Sequence, residues 1–302
     1  MMYRGKVRDI YPYYRTQISE NGDKTERTNE NNSTDEKIII HHSDRLSAFD
    51  RIWCQVPRKG ELLNKMSAWW FERTRHIVPN HFVRLLNDTD MLVRKCKVFP
   101  VEVVVRGYCT GTTKTSLWTV YESGVREYCG NVLPEGLVKD QKLPKPIITP
   151  TTKGETDEPI TAEEIIERKI MTREQWNYVA EKALQLFEYG TQIAAQVGLV
   201  LVDTKYEFGY LSEEKTPVIM LIDELHTCDS SRWWYEGKNL DKEQIRKYIK
   251  SQCDPYFVDV DNNAQKSQKS QKSQKSQKIM IPDEIIEQLS KSYEFVYQKL
   301  NS

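Results

Sequence analysis

The chain has 302 residues, with 44 Lys and Arg balanced by 44 Asp and Glu, so its formal charge is zero. That balance argues against nucleic acid or an anionic membrane as the main partner, and no apolar run approaches the roughly 20 residues of a membrane span. The length predicts one large or two ordinary domains.

The chain opens with YRGKVRDIY over residues 3–11, without the apolar core of a signal peptide. Lys6 and Arg8 share one face of a strand beside Gly5. They read either as a phosphate contact or as the solvated charges of an edge strand. Residues 16–36 are too polar to offset their ordering entropy and read as a flexible insertion. A strand resumes at Lys37, and Ser43, Asp44 and Arg45 follow it in a dense polar loop. Such a loop suits an oxyanion or an amine, or alternatively caps a helix start. The spacing of Leu62, Leu63, Met66, Trp69 and Trp70 predicts a helix over 61–75.

Two strand-like runs over 91–109 are expected to break at Pro100, the predicted hinge between two lobes. Arg106 then ends an apolar strand before a Gly/Thr loop that includes Thr112. Either a phosphate grip or a plain hairpin turn accounts for that pattern. Residues 113–172 are punctuated by Pro144, Pro146, Pro150 and Pro159 and show little regular pattern. Lys153 and Asp157 lie there, in a polar loop expected to cover a cleft or simply to connect. Thr172 and Gln175 form a capping box that opens the clearest helix, and Gly198 sits where it should end.

The stretch 199–225 reads as a β-hairpin. Period-two alternation sets Asp203, Lys205 and Glu207 on one face, and the second run ends in Asp223 and Glu224. Carboxylates gathered at one end of an apolar hairpin suit Mg²⁺, while a solvated face is the alternative. Whether Asp223 joins Glu207 depends on the pairing register or on a bulge. Asp229, Ser231 and Arg232 follow in a second polar loop beside His226, a lone histidine and thus a weak catalytic signal. Residues 241–250 look helical. The QKS triplets of 262–278 read as a disordered linker, and Pro282 starts a last helix that should dock on the body. The six cysteines form no CxxC pair, so thiols in a reducing cytosol are expected.

Five segments, YRGKVRDIY, SDRLSAFD, FPVEVVVRGYCTGT, LVDTKYEFG and DELHTCDSSRWW, together resemble the phosphoribosylaminoimidazole-succinocarboxamide synthase (SAICAR synthetase) family, single-function type. One departure is Thr112, where the family typically has Ser. The resemblance implies an α/β (α+β) fold of two lobes, with antiparallel sheets, flanking helices and the nucleotide between the lobes, loosely like a kinase or ATP-grasp enzyme. It implies an N-terminal lobe over 1–99 and a substrate and metal lobe over 100–261. It also implies a cytoplasmic ligase that joins carboxyaminoimidazole ribonucleotide (CAIR) to L-aspartate with ATP and Mg²⁺, as a monomer or, less simply, a homodimer.

In that light Lys6 and Arg8 resemble ATP-phosphate contacts, and Arg94 and Lys95 the adenine-side hinge. Glu207 and Asp223 resemble Mg²⁺ ligands and, with Asp203 and Lys205, the catalytic set. Arg106, Thr112 and Arg232 resemble the grip on the ribonucleotide phosphate. Asp203, Lys205 and Asp229, with Ser231 nearby, face the ribose or imidazole. Ser43, Asp44 and Arg45 shape the substrate or aspartate pocket, and Lys153 and Asp157 belong to an aspartate loop. A small-molecule kinase on the same frame is the alternative.

Overall fold

The structure is a computed structural model that describes residues 1–14, 36–154, 157–211, 217–255 and 279–302. The QKS repeat and most of the 16–36 insertion lie outside the described residues.

In chain order, β1 (Tyr3–Arg4), β2 (Arg8–Pro12) and β3 (Lys37–His42) lead to a small hairpin, β4 (Arg45–Ala48) and β5 (Arg51–Gln55). Helix α1 (Lys59–Arg73) follows, then β6 (Phe82–Leu85) and β7 (Asp90–Arg94). Next come β8 (Lys97–Cys109), α2 (Leu117–Glu122), β9 (Glu127–Tyr128), β10 (Asn131–Val132), β11 (Gln141–Ile148), β12 (Thr151–Thr152) and α3 (Ala162–Glu167). The chain continues through α4 (Arg173–Gln196), β13 (Leu199–Tyr210), β14 (Ile219–Ile222), β15 (Ser231–Tyr235) and β16 (Lys238–Asn239). It closes with α5 (Glu243–Gln252) and α6 (Asp283–Leu300).

Two antiparallel sheets dominate. The first has the order β1-β2-β3-β7-β6 and is built from residues before 95. The second has the order β11-β8-β13-β15-β16, with β12 added to β8 and β14 to β13. Helices flank both, giving a mixed α/β fold. Apolar side chains of both sheets and of α1, α4 and α6 form one continuous core, including Trp70, Val103, Phe187, Tyr206 and Val296.

Pro100 does not break the chain into two strands. β8 runs through it, and the register against β13 shifts there, between the pairs Glu207↔Glu102 and Gly209↔Val98. Extra β8 residues face Phe208 in a bulge, and a bulge tolerates a proline that donates no ladder bond.

Helix α4 follows its sequence signals. Thr172 and Gln175 cap it reciprocally, and Gly198 just beyond it adopts φ 76°. The same capping pattern occurs at Thr161 and Glu164, where it opens α3 inside a stretch that otherwise shows little periodicity. Gly190 of α4 makes room for the loop after β14. A Cβ there would lie 2.5 Å from Cε1 of the fully buried His226, whose Nε2 bonds the Tyr206 hydroxyl at 2.6 Å. His226 is therefore a packed core side chain. Gly190→Ala is expected to lower stability by about 1–3 kcal/mol through overpacking, outweighing the gain in helix propensity; a denaturant titration measures it.

Candidate active site

The site is organised by β13 and its neighbour β8. The ladder pairs Asp203 with Arg106, Lys205 with Val104 and Glu207 with Glu102. Alternation then sets Asp203, Lys205 and Glu207 together with Glu102 and Arg106 on one sheet face. That face borders a cavity of about 590 Å³, whose other wall includes Arg8 and Ile40 from the first sheet and Lys6 from the turn between β1 and β2.

The hairpin register by itself separates Asp223 from Glu207. Glu207 pairs with Ile222, so a continued strand would set Asp223 opposite Tyr206, whose side chain points to the other face. Asp223 instead adopts φ 72°, the left-handed region, and turns its carboxylate to within 2.8 Å of Arg8 Nη1. Both Asp223 and Glu207 line the cavity. Burial, then the neighbouring Glu207 and Glu224, raise the Asp223 carboxyl above the usual carboxylate range, although Arg8 opposes the shift. For Glu207, burial alone would raise the carboxyl; Lys205 and Lys153 outweigh it and hold the group low. Lys205 stands 2.6 Å from Glu102 and 3.1 Å from Glu207. Lys153 pairs with the other Glu207 oxygen. Asp157 lies at the cavity rim, raised by partial burial and by Glu102 and Asp50.

Arg8 is occupied by carboxylates, meeting Asp223 with one nitrogen and Glu224 with the other at 3.0 Å. Lys6 lines the cavity and pairs with Asp50.

The opposite end is basic. Arg232 donates to Asp203 at 2.6 Å and to Ser116 Oγ at 3.3 Å, and it lies 3.4 Å from Glu243. Arg106 donates to Thr149 Oγ1 at 2.7 Å and to the Thr115 carbonyl at 3.0 Å. Lys242 and Arg246 join them on the cavity wall, as do Thr113 and Ser116. Four cations around one recess suit an anion, and Asp203, Asp229, Asp241 and Glu243 stand close enough to offset part of their charge. Thr112 does not line the cavity; its carbonyl accepts from Lys250, while Thr113 and Ser116 present hydroxyls in its stead. Asp229 and Ser231 do line it, with Ser231 Oγ held on Thr204 at 2.8 Å.

Three predicted residues stand behind the wall. Ser43 Oγ donates to the Val7 carbonyl, and Asp44 accepts from the Gly60 N–H at the start of α1. Arg45 donates to the carbonyls of Lys6 and Gly5 and holds both oxygens of Asp9. Ser43 and Arg45 brace the Gly5–Arg8 turn through its backbone carbonyls, whereas Asp44 holds the start of α1. Arg94 and Lys95 are also away from the cavity. They follow the buried stretch of β7 where it emerges on the surface, and Lys95 pairs with Glu36. Sequence reasoning passed over Glu102, Ser116, Lys242 and Arg246. Glu102 had a signal, since a carboxylate amid the valines of β8 is costly unless paired. Lys242 and Arg246 lay in a stretch read only as a helix.

The chain is similar over most of its length to proteins of one family. A sequence model of the family described as SAICAR synthetase matches residues 1–262. A chloroplastic phosphoribosylaminoimidazole-succinocarboxamide synthase from Vigna aconitifolia is 50% identical over 84% of this chain and 71% of its own length. The solved structure of the Saccharomyces cerevisiae SAICAR synthase complexed with SAICAR superposes with a TM-score of 0.73 at 29% identity, covering 99% of this chain and 93% of the other. A SAICAR synthetase structure in complex with ADP shares the fold, with a TM-score of 0.63 at 24% identity over 82% of this chain and 90% of the other. No helix among the described residues is long and apolar enough to cross a membrane. The chain belongs to the SAICAR synthetase family, the purine-biosynthesis ligases that join CAIR to L-aspartate.

Proposed function

We propose that the cavity between the sheets carries out this ligation, with the basic end holding the CAIR phosphate and the Lys6 side receiving ATP. The observation that carries the reading is the set of charges that one cavity brings together: Arg106, Arg232, Lys242 and Arg246, the Glu207 and Asp223 carboxylates, and Lys6. The ADP bound by a protein of the same fold supports the nucleotide assignment.

A carboxylate is a poor electrophile. The γ-phosphoryl group of ATP must take up the oxygen that leaves the CAIR carboxylate as the aspartate nitrogen bonds to its carbon. ADP and phosphate are then released, and the ammonium protons go to solvent or to a basic side chain. Such transfer depends mainly on positioning and on cations around the phosphates. Glu207 and Asp223 fit a divalent cation, because a buried carboxylate raised by its carboxylate neighbours is relieved by a nearby positive charge. Mg²⁺ held there with substrate phosphates would neutralise phosphoryl charge. Lys205, kept charged by Glu207 and Glu102 against the effect of burial, faces the reacting carboxylate. Asp203 and Asp229 orient the imidazole and ribose, and Lys153 and Asp157 at the rim receive aspartate.

The purified protein is expected to release ADP only when CAIR, aspartate, ATP and Mg²⁺ are all present. ADP release without aspartate, with a lasting phosphorylated product, would replace the ligase reading with a kinase.

The basic end also sets a pH dependence. Burial pushes the Lys242 ammonium down to about 8, with Asp229 opposing the shift. Above that pH the free enzyme loses a cation from the phosphate site, so the CAIR KM is expected to rise. The unfolded chain keeps this proton up to the ordinary value of 10.5. Conformational stability should therefore rise between those two values while affinity falls. Steady-state kinetics and thermal melts across that range separate the two trends.

A further inference from the structure

Helix α6 lies beyond residue 262, where the family match ends. It docks on the start of α1. Ser290 Oγ donates to the Pro57 carbonyl at 2.7 Å, and Glu294 pairs with Arg58 at 2.6 Å. Between those anchors Tyr293 is fully buried, and its hydroxyl donates to Oδ1 of Asp229 at 2.9 Å. The other Asp229 oxygen meets Lys59 Nζ at 2.8 Å, and Lys59, the first residue of α1, has a side chain with no exposure.

Docking alone does not require this arrangement. A phenylalanine would fill the same space in the α6 interface, where Ser290 and Glu294 already supply polar anchors. A buried Lys–Asp pair is weak as a source of stability, since desolvation offsets most of its attraction. What the arrangement does achieve is orientation. An ionised carboxylate offers about four acceptor sites. Two are taken from behind, by residues of two helices, while Asp229 borders the cavity in front.

We propose that Tyr293 and Lys59 are positioning residues for CAIR: they fix the Asp229 carboxylate in the cavity, so that the C-terminal helix shapes the substrate site without touching substrate. This rests on Asp229 being a CAIR contact.

Tyr293→Phe keeps the ring and removes only the hydroxyl. In the full-length enzyme, KM values for CAIR, ATP and aspartate are measured for Tyr293→Phe, Lys59→Arg and Asp229→Asn, with a thermal melt of each. Tyr293→Phe is expected to raise the CAIR KM about tenfold, with the other two KM values close to wild type and the melting temperature lowered only by the few degrees that one lost hydrogen bond costs. Lys59→Arg, which retains the charge, should show a smaller effect of the same kind. If Asp229→Asn raises the CAIR KM and Tyr293→Phe does not, the positioning role is overturned. A rise in all three KM values together with a larger loss of melting temperature makes the hydroxyl a structural contact and overturns it equally. An unchanged CAIR KM in Asp229→Asn would show instead that Asp229 is not a substrate contact, a separate failure of the underlying assignment.

Discussion

Glu207→Gln and Asp223→Asn are each expected to lower turnover by about a thousandfold while leaving the fold intact. Each removes one negative charge from the only carboxylate pair that we assign to the cation. Neither changes side-chain volume appreciably, and Glu207 keeps an amide oxygen for Lys205 or Lys153 to meet. Wild-type rates in both variants would refute the assignment. A second readout does not depend on turnover. Burial and the adjacent Glu207 and Glu224 raise Asp223, so its folded-state pKa lies above its unfolded value. The stability contributed by the protonated form is present at low pH and is lost as pH rises through the folded value. A bound divalent cation takes over that compensating role. MgCl₂ should therefore raise the melting temperature more above neutral pH than below it, and Asp223→Asn should flatten that difference.

Arg232→Leu should act on stability and binding together. The guanidinium is 9% exposed and contacts Asp203, Glu243 and Ser116. Its removal leaves two buried carboxylates short of a partner, which costs about 3–5 kcal/mol. It also removes a phosphate contact from the cavity, so the folded fraction should show a CAIR KM raised at least about a hundredfold. Burial by itself would depress the Arg232 pKa; Asp203, Glu243 and Asp241 more than restore it, so the charge persists throughout the working pH range. The double variant Arg232→Leu with Asp203→Leu relieves one of the stranded charges. It should recover part of the stability and none of the substrate affinity, which separates the two effects in a single urea and kinetic series.

The helices were legible from the sequence wherever a cap and a face coincided. At α4 the capping box, the apolar stripe and the terminal glycine all agree. The hairpin of β13 and β14 was legible from its two apolar runs, and its charged face from period-two alternation. Position along a strand is a different matter. Arg45 and Arg106 look alike in sequence, each beside a strand and a polar loop. One is consumed by Gly5, Lys6 and Asp9 behind the wall; the other opens on the cavity. Nothing local separates them, because the difference lies in which distant backbone reaches them first. Asp223 shows the limit most clearly. Its side chain reaches the site through a left-handed backbone angle that alternation forbids and that a non-glycine residue rarely adopts. The Pro100 bulge escaped notice for a similar reason, since a proline in a strand-like run reads as an ending until its partner strand is known.

The β8–β13 ladder also has a temporal consequence. Glu102 and Arg106 are made long before their ladder partners Glu207 and Asp203, about a hundred residues later in synthesis. At roughly 5–20 residues per second, the earlier strand waits on the order of ten seconds for the later one. During that interval its carboxylate and guanidinium are solvated rather than paired, and no charged cleft exists for a nucleotide to enter. Binding competence therefore comes later still, because Asp223, Arg232, Lys242 and Arg246, which also line the cavity, follow β13 in the chain.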